Sequence, residues 1–412
     1  MFLIGLLIFS LAVFLPTVTD QLSWRMDTLA TYLRGVLHPV KSVPTPGSWT
    51  AAGEGSGGVL SGIQPTKESI SLSPTAAGDA DTETPVPTPA PTAIPGKVHL
   101  TAPAWERQDW NNCGPATLAQ YLRFYGWEGD QYNISETMKP DRADRNVNIE
   151  ELVHYVRTQA GWLNAQYRVG GDIQTLKEFL AAGMPVMIEA GYYFEGEYWP
   201  NDDRWAGHYL LLTGYDDRTE TFTVQDSFVG PEQKVAYQQL DGDWQAFNRI
   251  LVLIYPPDKE TLAAEILGPD WDPANNRQRA LEQAQQEVEN NPADAFAWFN
   301  VGTNLVSLER YQEAARAYDQ AREIGFPQRM LRYQFGPFLA YFHANRLEDL
   351  QVLTDYALQR TPNAEEALLW KGWSQYRSGD TAGALSSFRK ALEHNPTYQD
   401  AQYALDFMGA AP

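Results

Sequence analysis

Three side-chain types in this chain could together carry out acyl transfer: a thiol, an imidazole and a carboxylate. The thiol is Cys113, the single cysteine in 412 residues. It stands in Gln108-Asp-Trp-Asn-Asn-Cys113-Gly-Pro-Ala-Thr-Leu-Ala-Gln-Tyr-Leu122, where Ala116, Leu118, Ala119 and Leu122 form an apolar helical stripe. Pro115 suits the first turn of that helix, because its missing N–H has no intrahelical partner there. A thiol at a helix N-terminus sits among unpaired N–H groups and the positive end of the macrodipole, and both favour thiolate. The competing reading is a buried, inert cysteine, since free cysteine is among the most buried residue types. The residues downstream weigh against it.

A nucleophilic thiol needs a base, and the base needs a group to orient it. His208 opens the apolar strand His208-Tyr-Leu-Leu-Leu-Thr-Gly-Tyr215 directly after Ala206-Gly207, so its ring is expected at an exposed sheet end. Asp226 follows the next strand, Thr221-Phe-Thr-Val-Gln225. The polar turn Asp216-Asp-Arg-Thr-Glu220 joins the two strands as an antiparallel hairpin, which sets Asp226 near His208. The carboxylate would then hold one imidazole tautomer, and the Gln108 amide, on the loop before the cysteine, could donate to an oxyanion. Each residue keeps a structural alternative: a backbone-satisfied His208, an Asp226 capping a turn with Ser227, a Gln108 serving only the loop. His154, on a helix expected over 148–160, competes as base but has nothing beside it to complete a triad.

The elements that must position these groups read as an α+β domain over residues 98–257. Helices expected near 113–125, 148–160 and 172–182 precede strands near 184–190, 208–215, 221–225 and 249–255, an order that argues against a doubly wound sheet. An aromatic and acidic loop, Tyr192 to Trp205, leads straight to His208. It could line a cleft tolerant of basic substrate residues, or equally cover the domain's own core. The sequon Asn133-Ile-Ser135 is too short a pattern to carry weight.

Cys113-Gly-Pro, Gly207-His208-Tyr-Leu-Leu-Leu-Thr-Gly-Tyr-Asp216 and Val-Gln-Asp226-Ser, in that order, resemble the papain-like cysteine peptidases. Most closely they resemble the bacteriocin-processing, or double-glycine leader, peptidases and their stand-alone relatives. The resemblance implies a Cys113 nucleophile, a His208 base, an Asp226 orienting group and a Gln108 oxyanion donor. Gln108 lies five residues before the cysteine, one closer than the family pattern, and no transporter segment follows in this sequence, so export-coupled leader cleavage is not implied. The same triad also serves amidases and transglutaminases, and a catalytically silent peptide-binding domain is a third possibility.

The remaining third of the chain repeats. Pro292, Pro327, Pro362 and Pro396 are spaced by 35, 35 and 34 residues, and Gly302, Gly336 and Gly372 keep nearly the same period. Ala314, Tyr318 and Ala321 correspond to Ala384, Phe388 and Ala391. The pattern looks like tetratricopeptide repeats, an all-α solenoid within residues 258–412, with a preceding half-repeat over 275–290 and a closing helix over 397–408. The middle repeat is degenerate, with Glu348 where a small alanine is expected. Such a groove suits a protein partner or the tail of a substrate, or the repeats act as a rigid spacer.

At the other end, Met1 to Thr19 is apolar and uncharged, and is expected to be a membrane anchor or export signal. Residues 20–97, rich in Pro, Thr, Gly and Ser, are expected to be a disordered linker acting as a stalk, which would place the globular parts outside the cytoplasm. The net charge of −21 is spread over both globular parts and argues against nucleic-acid binding. One cysteine allows neither a disulfide framework nor a multi-thiolate metal site, and no histidine pair has ligand spacing, so no cofactor or metal is expected.

Overall fold

The computed structural model describes residues 29–30, 32–37, 39–47, 94–139, 147–194 and 204–411. After a short first strand come three helices: α1 (Cys113–Phe124), α2 (Gln131–Met138) and α3 (Ile149–Gln159). They pack on an antiparallel sheet of β1 (Lys97–His99), β2 (Asn164–Arg168), β3 (Val186–Tyr193), β4 (Trp205–Asp216), β5 (Thr221–Asp226), β6 (Gly230–Ala236) and β7 (Leu251–Tyr255). The strand order is β2-β7-β3-β4-β5-β6, with β1 beside the far end of β4. Helix α4 (Ile173–Ala181) precedes β3, and α5 (Tyr237–Gln245) joins β6 to β7. Helices α1, α3 and α4 and the long central strands stand where the sequence pattern places them, whereas α2 and α5 were not expected. The short edge strands β1, β2 and β6 have no clear two-residue alternation and are seen only in the structure.

Helix α1 is buried from Gly114 to Leu122, because it runs between the sheet and the outer helices. Its alanines allow close approach, and its few polar groups are tied across. Thr117 Oγ1 donates to the Tyr209 carbonyl at 3.2 Å, and Tyr121 takes the Ile254 N–H at 2.9 Å and donates to the Pro185 carbonyl. The Thr117 bond pins the helix that begins at Cys113 onto the strand that carries His208, and the Tyr121 bonds fix it to β7 and to the residue before β3.

The rest of the described chain is helical. Helix α6 (Glu260–Leu267) leads to α7 (Pro273–Asn290), then to the pairs α8 (Ala295–Ser307) with α9 (Tyr311–Ile324) and α13 (Glu365–Arg377) with α14 (Thr381–His394), closed by α15 (Gln399–Phe407). Between these pairs the first helix of the middle repeat is split into α10 (Met330–Tyr333) and α11 (Gly336–His343), followed by α12 (Leu347–Arg360). Pro337 explains the split: it has no N–H to give to Tyr333, and its ring clashes with that carbonyl in a continuous helix.

The two globular parts share a core. Trp205, Ala246 and Phe247, from the sheet side, are buried in the same apolar cluster as Phe299, Tyr318 and Phe338 of the repeats. Paired amides cross the boundary at Asn248 and Asn304 (2.8 and 3.2 Å), and Asn276 brackets the Val169 backbone at 3.0 and 2.8 Å.

Among the described residues no helix is long and apolar enough to cross a membrane. The expected anchor or export signal, Met1–Thr19, lies outside the described residues. One expectation needs correction. Part of the expected linker is ordered. Val43 is buried in the repeat core, Arg322 donates to the Pro44 and Thr45 carbonyls at 2.8 and 3.1 Å, and Tyr356 donates to that of Lys41 at 2.6 Å. A composition poor in large apolar residues missed this, because most of the attachment is through main-chain carbonyls, which leave no mark on sequence.

Candidate active site

Cys113 is the first residue of α1 and remains partly exposed. Asn112 stands at the N-cap but gives the helix no side-chain cap. Its amide instead donates to Gln131 at 2.8 Å, and Gln131 is itself gripped by Glu106. The helix therefore presents uncapped N–H groups where the thiol sits. Asn111 just before it takes a left-handed φ of 53°, which asparagine tolerates, and Lys139 donates to its carbonyl at 2.7 Å.

Asp226 pairs with Leu210 across the β4–β5 ladder, two residues along from His208, so the carboxylate lies diagonally opposite the ring on one sheet face. His208 Nε2 meets Asp226 Oδ1 at 2.8 Å, and both side chains are buried. The same Oδ1 accepts the N–H groups of Phe228 (2.7 Å) and Val229 (3.0 Å), which fixes it for the imidazole. With Nε2 committed to Asp226, Nδ1 is the nitrogen left for the thiol. Gln108 joins through Ser227: its N–H donates to the Ser227 carbonyl and its Oε1 accepts from Ser227 Oγ, both at 2.9 Å. That contact turns the amide so that Nε2 is the end Ser227 does not hold. His154 is exposed on α3 and takes no part.

The electrostatics form one coupled unit. Burial would raise the Cys113 thiol, but its hydrogen bond with His208 and that ring's charge prevail and hold it below the usual thiol range. Burial would likewise lower His208, yet bonds to Asp226 and Cys113 push it up to about 10. Asp226 is held below the ordinary carboxylate range, since the His208 bond and charge and the two loop N–H groups outweigh burial. All three shifts favour a thiolate–imidazolium pair beside an ionised carboxylate. Such a site can attack a carbonyl and return a proton to the leaving group.

Residues 99–252 match the family model described as Peptidase_C39 like family, and residues 274–328 and 365–398 match tetratricopeptide repeat models. The chain carries a C39-like peptidase domain followed by tetratricopeptide repeats. Among solved structures, the C39-like domain is similar to xylellain, a cysteine protease from Xylella fastidiosa, at 16% identity over 40% of this chain and 87% of that one, TM-score 0.30. It is also similar to the peptidase domain of Streptococcus ComA, a bi-functional ABC transporter involved in a quorum sensing pathway, at 13% identity over 38% and 99%, TM-score 0.29. A double glycine motif protease from an AMS/PCAT transporter, in complex with the leader peptide, matches at 17% identity over 39% and 94%, TM-score 0.29. No curated protein matches the chain.

Sequence reasoning missed one buried group in the C39-like domain. Glu189 lies opposite Tyr209 in the β3–β4 ladder, and Tyr209 packs on Gly114, next to the thiol. Burial pushes the Glu189 carboxyl well above its ordinary range, and the charge of Cys113 adds to this. Tyr209 gives its hydroxyl hydrogen to the Val147 carbonyl at 2.8 Å. The available signal was a single acid inside the apolar run Val186-Met-Ile-Glu189-Ala190.

Proposed function

We propose that the chain is a cysteine peptidase that hydrolyses peptide bonds through Cys113, His208 and Asp226, with Gln108 as oxyanion donor and the repeats binding a protein partner or the substrate's tail. The observation that carries this reading is the 2.8 Å contact of His208 Nε2 with a twice-bonded Asp226 oxygen, which reserves Nδ1 for a thiol at an uncapped helix start. The Cys113 thiolate adds to the peptide carbonyl carbon, and the oxyanion takes hydrogen bonds from the Cys113 N–H and Gln108 Nε2. His208 passes its Nδ1 proton to the departing amine as the C–N bond breaks, leaving an acyl-enzyme. Water then gives a proton to Nδ1 as its oxygen attacks the thioester, and the acid product leaves with the thiolate restored.

The reading predicts a pH window with a defined sign on each side. Reactivity falls in acid as the Cys113 thiolate protonates, and turnover falls again as pH passes about 10, where His208 loses the proton it must donate. Alkylation by iodoacetamide should show a Cys113 midpoint below the free value of about 8.5, and His208→Ala should raise it. Asp226→Asn removes the charge that lifts His208, so the alkaline limb of hydrolysis should move to lower pH and kcat fall by about a hundredfold or more. An alkylation profile indifferent to His208, together with no Cys113-dependent hydrolysis of a mixed peptide substrate, would sink the peptidase reading. Transfer of the acyl group to an added amine in preference to water would reassign it to a transferase.

A further inference from the structure

The split in the middle repeat delivers a repeat-domain side chain to the edge of the thiol site. Tyr333 ends α10, and its ring lies 3.3 Å from where a Cβ on Gly207 would stand. Gly207 is the residue before His208 and pairs with Gly191 across the ladder. A side chain on Gly207 would also meet Phe247 at 2.6 Å, so the bare backbone is what lets both rings lie on the strand. Tyr333 stands edge-on to Trp205 (6.1 Å) and Phe247 (5.8 Å), and these two stack on each other at 5.7 Å. The α10 backbone is held on both sides of Tyr333: Arg329 donates to the Trp205 carbonyl at 3.1 Å and Gln334 to that of Ala246 at 2.9 Å.

Burial raises the Tyr333 hydroxyl above the usual phenol range, an effect the charges of Arg332 and Arg329 oppose and that of Cys113 reinforces. On the peptidase side of the site, Tyr192 stands edge-on to His208 at 6.2 Å, Phe194 follows at 5.2 Å, and Phe228 lies 6.2 Å beyond. The site thus has aromatic walls of separate origin, one of them from a helix more than a hundred residues downstream.

We propose that Tyr333 is a positioning residue of the peptidase site: through it the repeat domain holds the His208 end of β4 and walls the cleft beside Cys113. The inference rests on the peptidase reading above. The repeats then complete the catalytic unit, and a partner bound to them can reach the chemistry through α10. Displacing the ring frees the backbone around Gly207 and with it the ring position of His208.

The test uses the full chain with Tyr333→Ala, Tyr333→Phe, the milder Gln334→Ala and, as a distant control, Phe388→Ala in the last repeat. Tyr333→Ala should raise the midpoint of Cys113 alkylation by about half a unit to one unit and lower kcat about tenfold or more with a smaller change in KM. Gln334→Ala should move both in the same direction by less, and Tyr333→Phe, which keeps the ring, should restore wild-type values. Phe388→Ala should lower the melting temperature and leave both readouts unmoved. Wild-type alkylation and kcat in Tyr333→Ala, or an equal shift in Phe388→Ala, would overturn the proposal. His208→Ala separates the two levels: if it moves the alkylation profile and Tyr333→Ala does not, only this inference fails, and if neither moves it, the peptidase reading fails as well.

Discussion

The outer repeats and the middle repeat solve the same packing problem differently. In the outer ones a glycine on the first helix lies under a ring from the second. A Cβ on Gly302 would stand 2.7 Å from Tyr318, and one on Gly372 would stand 2.4 Å from Phe388. In the middle repeat the glycine of the same period, Gly336, falls at the start of the short α11 under the hydroxyl of Tyr318, which belongs to the previous repeat. Pro337 follows it, and one period beyond Tyr318 the ring position holds Leu353. The family models match 274–328 and 365–398 and pass over the interval between. That interval is where α10 turns away from the solenoid to pack on β4. Loss of the repeat signature here accompanies an added duty: α11 and α12 still stack on the neighbouring repeats, while α10 holds another domain.

If that contrast is right, damage to an outer repeat costs stability without touching the thiol. The largest effect is expected for Phe388→Ala, which empties a fully buried ring site and should destabilise by about 3–5 kcal/mol in a denaturant or thermal melt, with the Cys113 alkylation profile unchanged. Gly302→Ala should come next: its methyl must displace the Tyr318 ring, an overpacking cost of about 1–3 kcal/mol, again with unaltered alkylation. A shifted thiol profile in either variant would break the division of labour.

A small effect on reactivity is expected for Glu189→Gln, near the thiol. Replacing a carboxyl held well above its ordinary range by a neutral amide should change alkylation less than about twofold between pH 6 and 7. Its stability signature has a definite sign. A carboxyl whose folded pKa is raised stays protonated in the native state while the unfolded chain ionises, so wild-type stability falls as pH rises above the unfolded value. The variant should lack that slope and be the more stable form at alkaline pH, as melts at pH 5 and pH 8 would show.

Much of this was legible in the sequence because it is local or periodic. The thiol at a helix start, the hairpin that brings Asp226 to His208 and the 35-residue proline period each follow from spacing alone. Asp226 and His208 are 18 positions apart, and one strand pairing decides their contact. Gln108 reaches the site through Ser227, 119 positions away, so sequence could suggest its place but not its anchor. Tyr333 was beyond reach for the same reason, since its neighbour Gly207 lies in another domain and no periodicity links them. The degeneracy of its repeat was visible, and was the single hint that the position did something else. Glu189 was visible as an acid in an apolar strand, but its burial against Tyr209 depends on the β3–β4 register.

The strap formed by residues 41–45 changes how the molecule carries load. Val43 and the carbonyls of Lys41, Pro44 and Thr45 are fastened to the repeats, and the chain re-enters the same folded unit at Pro95, ahead of the sheet. Tension applied from the N-terminal side therefore enters through the second helices of the solenoid, at Arg322 and Tyr356, and not through the hairpin that carries His208 and Asp226. The strap must peel before any pull reaches β1 and β4.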